Sequence, residues 1–288
     1  MDHRPAFDLE KSRFDTCVEF AISVSKLAAG RTQNLPRLMA SYVFTRACVC
    51  ADTIRYALRR EIEKSKDVTL DHYSISVLAR NLIEASLMFH YLMEDGVSDD
   101  EWSLRGKLFY LHDATLKLRL FKTINAAESY KAFKQDVTEL RETIRKSRAF
   151  AKLDAKHQER ILSGQELYIG GLRSTVKLAG LSAKYFDGMY ARLSAEVHIS
   201  PTSFFETDKR LSFATPADYQ YYMAALALAH ARRLLMGATI RLAESDPIVS
   251  DKIEAKSLQL MRELEMAPPL RTQAMRRKGI EPLPRTES

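Results

Sequence analysis

The sequence predicts an all-α fold, a bundle of about eight helices built around long central ones. Three observations carry that expectation. Glycine and proline are scarce, 10 and 9 among 288 residues, roughly half the usual share. No proline occurs between Pro36 and Pro201, so a chain of short strands and tight turns would lack its turn residues. Apolar residues recur at helical spacing through most of the chain.

The first helix is expected over roughly Asp8 to Ala29, with Phe14, Val18, Ala21 and Ile22 on its apolar face and Gly30 as its stop. Asn34 is a good N-cap and Pro36 fits a first turn, so a second helix runs from there to about Lys64. It is apolar on most sides between Leu38 and Leu58, which predicts a central position. A third helix follows Asp71 and ends near Glu94, ahead of Gly96. Ser98 and Glu101 read as a capping box opening a fourth, to about Thr123.

Residues 127–163 alternate in charge, with few large apolar residues, and predict a charged, exposed helical arm. Gly164, Gly170 and Gly171 mark a break, a sub-boundary near 164–171 within one helical domain over residues 1–266. A short helix leads to Gly180. Ser182 opens another, limited by Pro201, and residues 202–215 read as a loop. Thr215-Pro216 opens a long alanine-rich helix to about Glu244, and Asp246-Pro247 a last one to about Glu265. Residues 267–288 read as a basic, flexible tail.

The net charge of +7 is divided: the tail holds +3 and the body only +4. A body so mildly basic permits an anionic partner without requiring one. No glycine-rich phosphate motif is present, which disfavours a Rossmann or P-loop enzyme. No H-E-x-x-H, E-x-x-H or G-x-S-x-G occurs. The cysteines Cys17, Cys48 and Cys50 make neither a disulfide framework nor a zinc spacing, so they read as core residues of a reduced, cytoplasmic protein. No metal or cofactor is expected. No apolar run is long enough to span a membrane.

Polar residues inside apolar helices are the candidate site. Arg80 and Glu84 stand at i,i+4 and share a face, either as an internal ion pair or as a pocket wall. Ser194 and His198 have the same relation, with Tyr190 a turn earlier. Arg192 and His198 are six positions apart, about 120° off one face, and converge only if the helix breaks between them.

Two resemblances follow from these residues. Leu78–Asp95 (LARNLIEASLMFHYLMED) and Gly171–Phe204 resemble the R-x-x-x-E helix and the tyrosine-rich S-x-x-x-H helix of a family of uncharacterised bacterial all-helical proteins. The likeness covers roughly residues 35–245, with His198-Ile199-Ser200-Pro201 where that pattern has His-Pro more directly. It implies a cluster of Arg80, Glu84, Ser194 and His198 and no stated activity. The Arg192-x5-His198 spacing is similar to the R-x(4–6)-H motif of the HEPN superfamily. That implies a metal-independent ribonuclease acting as a homodimer, with Arg192 stabilising phosphate charge and His198 acting on the 2′-hydroxyl.

The expectation is thus an interaction or structural module with a buried polar cluster, binding a partner or itself as a possible homodimer. The alternative is a HEPN-like ribonuclease or nucleotide-binding module using Arg192 and His198, with RNA or a nucleotide as partner. Tyr190, Ser194, Arg80 and Glu84 are expected as binding residues, and no membrane partner is expected.

Overall fold

The computed structural model describes residues 2–31, 34–63, 70–198, 201 and 216–267. Among the described residues there are twelve α-helices and no strand. The number exceeds eight because internal caps cut two segments. Ser147 Oγ accepts from Phe150 N at 3.4 Å and Asp154 Oδ1 from His157 N at 3.1 Å, dividing the charged segment into three helices. Asp246 Oδ1 accepts from Ile248 N at 3.0 Å and opens a separate short turn before the last helix. The expected tail, beyond Ala267, and the expected loop over 202–215 lie outside the described residues.

The chain divides into two compact units, Met1–Met93 with Ala179–Ser288, and Glu94–Leu178. The first contains α1 (Arg4–Ala28), α2 (Leu35–Glu63), α3 (His72–Leu92), α9 (Ala183–Val197), α10 (Asp218–Glu244), α11 (Pro247–Ser250) and α12 (Ala255–Met266). The starts of α2, α3 and α9 follow from side-chain caps. Asn34 Oδ1 accepts from Arg37 N at 3.1 Å, Asp71 Oδ1 from Ser74 N at 3.0 Å and Ser182 Oγ from Tyr185 N at 3.2 Å.

The central helix is α10, which packs on α1, α3 and α12. Eighteen of its 27 residues are buried. Its alanines let neighbouring helices approach closely, and Arg232 lies fully buried among them. Arg232 Nε donates to Glu10 Oε2 at 3.0 Å, and its terminal nitrogens donate to the carbonyls of Leu264 and Ala267. A guanidinium at the carbonyl end of α12 meets the negative pole of that helix. The buried charge is thereby paired and hydrogen-bonded, which its burial demands.

The second helix is not wholly enclosed, contrary to its apolar sequence. Ala40, Phe44, Ala47, Ala51, Ile54 and Leu58 face inward, while Leu35, Tyr42, Val49 and Tyr56 are all more than 60 % exposed. Phe44 meets Phe89 of α3 with ring centroids 5.3 Å apart.

The second unit contains α4 (Asp99–Thr123), α5 (Ala127–Arg145), α6 (Arg148–Ala151), α7 (Ala155–Leu162) and α8 (Leu172–Leu178). The segment expected as an exposed arm packs on α4. Leu104, Leu108 and Leu111 of α4 meet Phe133, Val137, Leu140 and Ile144 of α5, and Phe150 and Ile161 close the cluster. Both series advance by alternate steps of four and three, a narrow seam that suffices for one partner helix. Asn125 turns the chain between the two helices with φ 55°, a conformation asparagine tolerates. At Gly164, φ is +74° and an added Cβ would lie 2.3 Å from Thr115 Oγ1, so the break there requires glycine.

Candidate functional site

The polar residues of α9 are held on two sides. Tyr190 and Arg192 are two positions apart, so they point to nearly opposite faces of the helix. Tyr190 faces α3. Arg80 Nη2 donates to the Tyr190 hydroxyl at 2.5 Å, and that hydroxyl donates to Glu84 Oε1 at 2.6 Å. The Arg80 and Glu84 charges themselves lie 3.2 Å apart. The guanidinium carbon sits 4.6 Å from the Tyr190 ring centroid, and Phe186 stacks on the ring's neighbourhood at 5.1 Å. Burial, and then the hydrogen bond to Glu84, push the Tyr190 phenol above its ordinary value. The phenol therefore stays protonated and acts as the donor to the carboxylate.

The opposite face repeats this arrangement with the roles of the helices exchanged. Here α9 supplies the i,i+4 pair, Arg192 and Glu196, and α10 supplies Tyr219. Arg192 Nη2 donates to the Tyr219 hydroxyl at 2.5 Å, and the hydroxyl donates to Glu196 Oε1 at 2.9 Å. Arg192 and Glu196 lie 3.5 Å apart, and the guanidinium carbon is 5.7 Å from the Tyr219 ring centroid. Arg192 also donates to Met223 Sδ at 3.2 Å.

His72 closes the inner side of this second group. It is fully buried and its Nε2 is 3.9 Å from Glu196 Oε2, beyond hydrogen-bond reach. Neither ring nitrogen has a hydrogen-bond partner among the described residues. Burial lowers its pKa to about 4, so it is a neutral ring beside a carboxylate and not half of an ion pair.

His198 is placed differently from the expected cluster. It is exposed at the C-cap of α9, and its backbone N–H donates to Ser194 O at 3.1 Å. Among the described residues its imidazole has no hydrogen bond or ion pair with Arg80, Glu84 or Arg192. The helix runs unbroken from Ala183 to Val197, so no break between Arg192 and His198 brings the two together. Ser194 Oγ is buried without a hydrogen-bond partner among the described residues. Of the residues expected to cluster, the structure joins Arg80, Glu84 and Tyr190, engages Arg192 elsewhere, and leaves His198 at the surface.

Sequence reasoning missed Glu196, Tyr219, His72 and a further tie, the Tyr185 hydroxyl to His230 Nδ1 at 2.6 Å. Burial lowers the His230 pKa to about 3, so this ring too is neutral. Glu196 was visible, since Arg192-x-x-x-Glu196 repeats the spacing of Arg80-x-x-x-Glu84. Tyr219 was not, because only the fold brings the first turn of α10 beside the last turns of α9. Among the described residues no group of three His, Cys, Asp or Glu could hold a metal ion, and no helix is long and apolar enough to cross a membrane.

The class these features define is an all-helical protein whose α9 is fastened to two neighbours by matching arginine–tyrosine–glutamate triads. The model of a family of unknown function, DUF5677, matches residues 38–210, more than half of the chain, and the chain belongs to that family. The matched segment includes Arg80, Glu84, Tyr190, Arg192 and Glu196, while Tyr219 lies beyond it. No curated protein and no solved structure matches the chain.

Proposed function

We propose that the chain is a helical interaction module and that its two triads are joints of the fold. The observation that supports this reading is the tyrosine hydroxyl shared by both charges of each triad. In each, one tyrosine hydroxyl accepts from the guanidinium and donates to the carboxylate, while the two charges neutralise each other. A guanidinium that binds phosphate must turn its donors to the substrate, whereas Arg80 and Arg192 each spend a terminal nitrogen on a tyrosine of the neighbouring helix. The joints instead hold α9 between α3 and α10.

A HEPN-like ribonuclease is the second reading, favoured by the exposure of His198 at the end of α9. It requires Arg192 to leave Tyr219 and Glu196 and meet a phosphate. Purified wild type, Arg192→Ala and His198→Ala are compared for cleavage of single-stranded RNA without added metal. The module reading expects all three to equal the blank. Cleavage by wild type that both substitutions abolish would overturn it and establish the nuclease.

A further inference from the structure

We infer that α2 is a self-association surface, on which a second copy of this chain docks its own α2 in antiparallel orientation about Val49. Between Tyr42 and Tyr56 seven residues are exposed, and they fall on one face of the helix. Tyr42, Val49 and Tyr56 are spaced by seven and are 66 %, 62 % and 68 % exposed. A seven-residue apolar repeat is the spacing of a seam that follows another helix.

The chemistry of this face is the same read from either end. Val49 is its centre. Three positions away on either side stand Arg46 and Asp52, four positions away Thr45 and Thr53, and seven positions away Tyr42 and Tyr56. An antiparallel copy turned about Val49 therefore sets Arg46 against Asp52 of the second copy, and Asp52 against Arg46, while threonine meets threonine and tyrosine meets tyrosine. A parallel copy would set arginine on arginine and aspartate on aspartate. A two-fold contact must be self-complementary, and charge complementarity selects the antiparallel pairing.

The charges are available for it. Arg46 makes no hydrogen bond or ion pair among the described residues. Asp52 receives Arg55 at 3.0 and 2.6 Å through Oδ1, which leaves Oδ2 for a second guanidinium. Beside the stripe, α1 and α2 enclose an open groove of about 450 Å³, bounded by Ile22, Ser25 and Lys26 on one side and by Val49 and Tyr56 on the other. A tyrosine of the second copy meeting Tyr56 would seat at its edge.

This inference rests on the interaction-module reading by naming its partner, and it fails separately. The full chain is examined by sedimentation equilibrium. Wild type is expected to be a dimer. Arg46→Asp and Asp52→Arg, each of which sets like charges against each other, are expected to weaken it by about tenfold or more. Combining the two substitutions in one chain, or mixing the two single variants, restores it. Under mild oxidation Val49→Cys, on the axis, cross-links to its copy, and Tyr42→Cys does not; wild type is the blank for Cys17, Cys48 and Cys50. Circular dichroism confirms that the variants are folded. A monomeric wild type, or a dimer indifferent to Arg46→Asp, overturns the inference and leaves the module reading standing. RNA cleavage lost with His198→Ala overturns that reading and leaves the dimer standing.

Discussion

The two triads use the same three side chains in the same order of hydrogen bonds, yet they differ in burial. Glu84 has 48 % of its side chain exposed and Glu196 has 1 %. Water can replace what Glu84 receives. It cannot reach Glu196, which depends wholly on Tyr219, Arg192 and the dipoles around it. The same bonds should therefore contribute little to stability on the α3 side and much on the α10 side.

The largest contrast should appear in acid. His72 stands beside the buried triad, and with His90 and His230 it is held neutral by burial, with folded pKa values of about 4, 4 and 3. Unfolded histidine takes up a proton near its ordinary value while these folded rings do not. Stability is therefore complete above that value and lost as pH falls from it toward 4. The slope approaches about 1.4 kcal/mol per pH unit for each histidine. Urea midpoints measured from pH 7 to 4.5 should fall steeply. In His72→Phe the fall should be shallower by one histidine's share. An unchanged slope would show that His72 is not held neutral.

Glu196→Ala comes next. Removing the buried carboxylate strands the Tyr219 hydroxyl and leaves Arg192 without its counter-charge, at a cost of about 2–4 kcal/mol in urea unfolding. Tyr219→Phe should cost about 1–2 kcal/mol and Tyr190→Phe about 1 kcal/mol, since each removes one shared hydroxyl. Glu84→Gln should cost under about 1 kcal/mol, and added salt should reduce even that. Equal losses for Glu84→Gln and Glu196→Ala would end the distinction between the two triads.

Part of the site was legible before the fold was known. The i,i+4 spacing of Arg80 and Glu84 inside an apolar helix required a partner for each charge, and Tyr190 had been marked as a neighbour. His198 was misassigned to that cluster because sequence spacing gives an angle around a helix and not the place where the helix ends. It is the C-cap of α9, one residue beyond Val197, where the backbone is already extended and the regular geometry has stopped. Residues 127–163 hid their seam for a related reason. Phe133, Val137, Leu140 and Ile144 are outnumbered by charges, and only their placement against α4 makes four apolar residues a core.

The all-α class, the caps at Asn34, Asp71 and Ser182 and the turn at Gly164 were determined by the sequence alone. Each depends on backbone preference, as in the positive φ of Gly164, or on bonds within a few residues, while the close approach of Thr115 to that glycine comes from the fold. The tertiary structure decided that α10 and not α2 is central, that Arg232 pairs with Glu10, and that Tyr219 completes a triad with Arg192 and Glu196. These contacts join residues far apart in the chain. Their energy comes from excluding water between helices, and no local pattern records which helices those will be.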